Sequence, residues 1–179
     1  PDEQPLFEVE GLENNDNFGE TVTLLSPTDL ASYAGQDDTL GVNLGRPYWA
    51  TVAEGEGGAL TPTLEALEFP GDVGQTRFGV SVALSPDPSL SVSDALEQPP
   101  IALVGAPYMS RVSNYQTRAG SAHAYRLSQQ TSAFEHALRL DEHEGLSNYD
   151  LFGEGASRVG DVDGDGLNDL LVGAFGTGS

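Results

Sequence analysis

Acidic side chains stand at the first, third, fifth and ninth positions of residues 161–169, DVDGDGLND, and give the chain its sharpest chemical signal. A hard cation such as Ca²⁺ takes six to eight oxygen ligands at ~2.3–2.6 Å, and alternating residues of a tight loop aim Asp161, Asp163 and Asp165 at one point. Gly166 permits a sharp turn, after which the backbone carbonyl of Leu167 adds a ligand and Asp169 closes the cage. Asp161, Asp163, Asp165, Leu167 and Asp169 are thus the expected metal ligands, and Ca²⁺ the expected ion. Mg²⁺ fits less well, because it keeps several waters and takes few carboxylates. The plainer alternative is an acidic surface turn, since Asp and Gly are ordinary turn residues. Four aspartates so close together nevertheless repel one another unless a cation sits among them.

The residues after the loop say what holds it. An EF-hand loop ends on a bidentate Glu at position twelve and lies between helices. Counted from Asp161, position twelve is Val172, inside the apolar, β-branched run LLVGAF. That run reads as a buried strand, so the loop is expected to join two strands.

Composition narrows the class. The net charge is −21, from 28 acidic and 7 basic residues, which disfavours nucleic acid and anionic membranes as partners. No cysteine is present, so disulfides, thiolate zinc sites and a cysteine nucleophile are all excluded. With 22 Gly and 11 Pro the chain is densely punctuated by turns, the profile of an all-β protein. No apolar run reaches the ~20 residues of a membrane helix.

Two markers recur along the chain. Phe-Gly occurs at Phe18-Gly19, Phe78-Gly79 and Phe152-Gly153, each followed by a strand-like segment. Gly-Ala follows at Gly105-Ala106-Pro107 and Gly173-Ala174-Phe175, with Gly45-Arg46-Pro47 as a weaker counterpart. Phe18 to Gly45 and Phe78 to Gly105 are both 27 residues, against 21 from Phe152 to Gly173. Units of 60 and 74 residues suit about four short strands each. Glycine admits close backbone approach, and the phenylalanines are expected to anchor the core between neighbouring units.

In these markers the chain resembles the FG-GAP repeat of integrin-α-type β-propellers, most closely in FGEGASRVGDVDGDGLNDLLVGAF. The resemblance implies all-β propeller blades of four antiparallel strands, with a calcium loop between the first and second. It divides the chain into an acidic segment 1–17, units 18–77 and 78–151, and the first half of a third unit, 152–179. Leu6–Gly11 is a candidate closing strand, and an acidic linker is the equal alternative. In the third unit the first strands are expected near Gly153–Gly160 and Leu170–Ala174. The corresponding connections SPTDLASYAGQDDT and SPDPSLSVSDALEQPP are longer and lack alternating aspartates. Extra chain is expected to replace the metal there, with Asp29, Asp37 and Asp38, or Asp87, Asp94 and Glu97, as irregular alternatives. About two and a half blades fall short of the four to eight that a ring needs, so the chain is expected to belong to a larger propeller.

Catalytic patterns find no support. His123, His136 and His143 are the only histidines, and HALRLDEHEG lacks the H-E-x-x-H spacing of a zinc helix. No nucleophile elbow, phosphate loop or dinucleotide fingerprint occurs. The expectation is a non-catalytic, calcium-binding adhesion or protein-interaction module, extracellular, cell-surface or periplasmic, with protein subunits or glycans as partners. The alternatives are an accessory subunit locked into a larger assembly and the non-catalytic propeller part of a secreted hydrolase.

Overall fold

The computed structural model describes residues 8–11, 17–26, 29–34, 44–68, 76–85, 101–110, 118–128, 134–141, 148–165 and 168–176. Those residues form an all-β structure of ten strands with one 3-10 turn at Glu56–Gly58. The first sheet holds β1 (Phe18–Ser26), β2 (Asp29–Ala34), β3 (Arg46–Glu54) and β4 (Leu60–Ala66). The second holds β5 (Val82–Ser85), β6 (Ile101–Ala106), β7 (Ser121–Leu127) and β8 (Phe134–Asp141). Both are antiparallel meanders in sequence order, and a hairpin of β9 (Phe152–Arg158) and β10 (Leu170–Ala174) follows. No helix among the described residues is long and apolar enough to cross a membrane, which says nothing of strands.

The second sheet lies between the first sheet and the hairpin, and its β6 explains the order. IALVGA is apolar at every position, and all but its first residue are buried, as a strand covered on both faces requires. Ala102, Val104 and Ala106 point into one cluster with Val82 and Tyr125, closed by Leu67 and Trp49 from the side of the first sheet. Leu103 points the other way, into a cluster with Ala83 and Ala122 that Phe152, Ala156, Leu170 and Val172 cover from the hairpin. Trp49 of β3 also meets Phe134 of β8, with ring centroids 4.2 Å apart.

All three Phe-Gly dipeptides sit in the same turn. The residue before each phenylalanine is left-handed (Asn17 φ 56°, Arg77 φ 52°, Leu151 φ 55°), and each following glycine has φ between 88° and 103°. The carbonyls of Asn17, Arg77 and Leu151 accept from the N–H groups of Glu20, Val80 and Glu154 at 3.1, 3.2 and 3.0 Å. A β-turn with positive φ at its third residue demands glycine there. The turns also stitch the sheets together. Phe78 N–H donates to the Leu44 carbonyl at 2.8 Å, and Phe152 N–H to that of Ala119 at 2.9 Å. Ser81 Oγ donates to the Gly153 carbonyl at 2.8 Å, and Thr21 Oγ1 to that of Val80 at 3.3 Å. Phe78 is fully buried, whereas Phe18 and Phe152 are half-buried.

One expectation about the first sheet is corrected. Leu44 and Ala119 play the same part, so Gly45 (φ 77°) corresponds to Gly120 (φ 92°), and Gly45-Arg46-Pro47 opens the third strand rather than closing the second. The second strand is instead Asp29–Ala34, inside the segment expected to be a long connection, and β1 reaches it across Pro27-Thr28 alone. Phe18 pairs with Ala34 as Phe152 pairs with Ala174, so Tyr33-Ala34 stands where Gly-Ala stands elsewhere. Asp29 therefore opens a strand, while Asp37, Asp38, Asp87, Asp94 and Glu97 lie outside the described residues. Of the candidate closing strand Leu6–Gly11, residues 8–11 are not strand and the rest lies outside the described residues.

At Gly105 the backbone of the second sheet meets that of the hairpin directly. A Cβ there would lie 1.8 Å from the Gly153 carbonyl oxygen and 2.5 Å from Ser81 Oγ, and backbone cannot yield as a flexible side chain does. Replacing Gly105 by Ala is expected to cost at least the ~1–3 kcal/mol of an overpacked core, read as a lower urea midpoint. An unchanged midpoint would show that the hairpin is not seated on the second sheet as described.

Candidate metal centre

The acidic loop connects β9 to β10, and the strands fix its ends. Val159 N–H donates to the Asp169 carbonyl at 2.9 Å and Asp169 N–H to that of Gly160 at 3.4 Å, continuing the ladder beyond the pair Arg158 and Leu170. Asp169 is thus placed beside the start of the loop by strand register. Within the loop, Asp161 Oδ1 accepts from Gly164 N–H (2.7 Å) and Asp165 N–H (3.1 Å). Asp163 Oδ1 accepts from Asp165 N–H at 3.1 Å, and Asp169 Oδ2 from Val162 N–H at 2.8 Å. Asn/Asp side chains that capture backbone N–H groups a few residues on hold such turns in shape. Gly164, with φ 82°, supplies the left-handed step.

Carboxylate oxygens of Asp161, Asp163 and Asp169 come within 4.8 Å of one another. Two ligands on opposite sides of a Ca²⁺ ion stand about 4.6–5.2 Å apart, so the three oxygens fit around one such ion. Each of the three carboxylates also accepts a backbone N–H that orders the loop. Asp161 and Asp163 are exposed and Asp169 is half-buried, which leaves room for water to complete a coordination sphere. This is the group of three among the described residues that could hold a metal ion. Asp165 is not a member of it and contributes its N–H instead. Leu167, the expected carbonyl ligand, lies outside the described residues, as does Gly166.

A second polar cluster is not legible in the sequence. His123 of β7 is fully buried, with Nε2 3.0 Å from Ser121 Oγ and Nδ1 3.3 Å from Nε2 of His136 on β8. The β7–β8 register shifts between Ala124 and Tyr125, which puts His136 rather than Ala137 opposite Tyr125. That irregularity turns His136 toward the face of His123, as bulges re-aim side chains. The sequence groups His136 with Glu135, Asp141, Glu142 and Glu144; in the fold its ring meets His123 and Tyr125, at 5.5 and 5.4 Å between centroids. Ser121 is fully buried and the ring of Phe78 stands edge-on to His123 at 5.7 Å, so this serine and histidine are enclosed by protein. A nucleophile needs a path to its substrate, and their geometry is that of a core network.

Two groups of this cluster are shifted from their ordinary titration range. Tyr125 donates its hydroxyl to the Glu68 carbonyl at 2.7 Å, and burial, with the Glu68 charge adding, holds the phenol well above its ordinary range. Burial, with the Arg139 charge adding, lowers the pKa of His136 below its ordinary 6.5. No family model matches the chain, and no curated protein matches it.

The His136 shift has a definite sign in stability. Its folded pKa is depressed, so the unfolded chain takes up the proton first as pH falls. The contribution of neutral His136 is whole above pH 6.5 and is lost as pH drops from there toward the folded pKa. Urea midpoints at pH 7.5 and pH 5 are expected to differ more for the parent chain than for His136→Gln. Equal differences would remove His136 from the acid response.

Proposed function

We propose that this chain is a run of FG-GAP-type β-propeller units, and that Ca²⁺ held by Asp161, Asp163 and Asp169 clips the β9–β10 hairpin. The observation that carries the reading is the convergence of three carboxylates in a loop whose ends are set by strand register. The blade reading draws on two successive four-stranded meanders, and on the threefold recurrence of one Phe-Gly turn with the same hydrogen bond. The sheets do not close on themselves, so a complete ring is part of the proposal.

Calcium acts structurally in this reading. A two-stranded hairpin is marginal alone, and a cation joining loop positions one and three to the first paired residue of β10's approach resists fraying at its far end. Ca²⁺ is the favoured ion because the donors are all hard carboxylate oxygens on an exposed, adjustable loop. The module is non-catalytic and is exported or displayed at the cell surface, where calcium is plentiful. Its partners are proteins or glycans bound through loops, since connecting segments carry recognition while the sheets supply rigidity. Asp165 and Leu167 complete the proposed ligand set.

A second reading, an accessory subunit built into a larger assembly, is favoured by the apolar surface that the hairpin turns outward. Leu171 and Phe175 are 59% and 81% exposed.

Thermal melts in Ca²⁺ and in a chelator test the metal. Ca²⁺ at a hundredfold excess over its Kd is expected to add about 2.7 kcal/mol, raising Tm, with a smaller effect from Mg²⁺. Asp163→Ala is expected to abolish the response while leaving the chelated melt nearly unchanged. Identical melts with and without Ca²⁺ would end the calcium reading.

A further inference from the structure

We propose that Nδ1 of His123 and Nε2 of His136 form a site for a borderline divalent cation of the Zn²⁺ class, with water completing its coordination. This rests on the second sheet, and on neither the calcium loop nor the blade reading. The two nitrogens face each other at 3.3 Å. Imidazole nitrogens bound at ~2.0–2.1 Å to a tetrahedral Zn²⁺ stand about 3.3–3.4 Å apart, so the pair already has the separation of two adjacent ligands.

The second sheet departs from the first to build this pair. Tyr48 and His123 each lie three residues after the glycine that precedes their strand, Gly45 and Gly120, and both are buried. The first sheet fills the place with a tyrosine ring and keeps a regular ladder from Tyr48 and Ala66 to Glu54 and Leu60. Ala50 faces Leu64 there, where Tyr125 faces His136 in the second sheet. The fold thus needs neither histidine at these positions, nor a shift of register. The second sheet carries both histidines and leaves Ala137 outside the pairing, the one step that brings His136 onto the face of His123. Bulges of this kind recur where a side chain must be re-aimed.

The surroundings suit ligation. In the tautomer that ligates, His123 Nε2–H donates to Ser121 Oγ at 3.0 Å and leaves the lone pair of Nδ1 on the side of His136. A bond from the far nitrogen is what fixes the ring orientation of most metal-ligating histidines. His123 is fully buried but His136 is exposed, so a cation enters from the β8 side and keeps its waters there. Zn²⁺ and Cu²⁺ take imidazole readily, whereas Ca²⁺ takes oxygen, so this pair and the acidic loop select different ions. The net charge of −21 draws divalent cations toward the molecule. Arg139, opposite His123 in the ladder, is a neighbouring positive charge. With two protein ligands and that repulsion the ion is exchangeable, unlike a structural zinc held by four protein ligands.

Calorimetric titration of Zn²⁺ into the 179-residue chain, with Ca²⁺ saturating, tests the site. One equivalent is expected to bind, at least tenfold more weakly in His136→Gln and unchanged in His143→Gln. An unaltered circular dichroism spectrum without metal establishes that each variant folds. Cu²⁺ supplies an independent readout. Trp49, the chain's single tryptophan, has its ring 4.2 Å from that of Phe134, which lies two residues and ~7 Å along β8 from His136. Cu²⁺ in the site is therefore expected to quench Trp49 fluorescence in the parent and far less in His136→Gln. If glutamine disturbs the fold, the imidazole nitrogen resonances of the parent decide, with Zn²⁺ expected to shift Nδ1 of one histidine and Nε2 of another. Three results would overturn the proposal: no saturable Zn²⁺ binding in excess Ca²⁺, which leaves a hydrogen-bonded pair only; a folded His136→Gln that binds Zn²⁺ like the parent; or binding that is lost in His143→Gln. The calcium response of the melt is read separately, so either proposal can fail while the other stands.

Discussion

The close backbone approach of Gly105 and Gly153 is the constraint from which most of the architecture follows. Two main chains can come this near only if no Cβ stands between them, and each glycine removes one. Once they are in contact, Ser81 reaches the Gly153 carbonyl, Phe152 N–H reaches Ala119, and the phenylalanine ring lies against the second sheet. The left-handed residue before each Phe-Gly and the positive φ of its glycine are strained or costly for ordinary residues. They persist because the turn they form presents N–H groups to the neighbouring layer, where a straighter chain would leave polar groups buried and unpaired.

Burial and charge are divided between the two ends of β9. Its beginning is locked by backbone bonds and apolar contact with the second sheet, and its far end runs out into the acidic loop. A hairpin held at one end frays from the other, and local stability tracks buried contacts. The loop counters this with Asx-type bonds from its own N–H groups, which order it but also concentrate three carboxylates within 4.8 Å. Ordering and repulsion therefore come from the same residues. A divalent cation relieves the second without undoing the first, which is why the ladder, rather than the loop composition alone, makes the metal reading physical.

What could be read from the sequence depended on whether a local rule governed it. The hairpin strands were legible, because Phe-Gly, the Asp loop and LLVGA each impose their own geometry over a few residues: β10 matches the expected span, and β9 begins one residue early and ends two early. The first sheet misled for a specific reason. Equal spacings of 27 residues made Gly45 look like the counterpart of Gly105, although the two are brought to different strands by connections of different length. Spacing registers units only where their loops are equal in length, whereas the cross-layer bond from Phe78 to Leu44 registers them directly. The pairing of His123 with His136 was out of reach, since one extra residue in β8 decides which face His136 occupies. Asp165 illustrates the finer limit. Its place in the motif suggests a ligand, while its described part is that of an N–H donor to two other aspartates.

Gly105 and Gly173 carry the same residue at the same position of equivalent strands, and their surroundings differ completely. For Gly105 the reason is internal, a neighbouring carbonyl that excludes any side chain. For Gly173 the nearest described atom to such a Cβ is the Gly155 carbonyl oxygen at 3.8 Å, and in a strand glycine otherwise forfeits packing and increases the entropy lost on folding. The same asymmetry separates Leu103 from Leu171 and Val82 from Val22, each pair chemically matched and oppositely buried. Cover by a neighbouring layer, and not residue type, is what separates the members of each pair. The Phe-Gly turn thus sets register within each unit, and the layer stacked on it decides which of its residues become core.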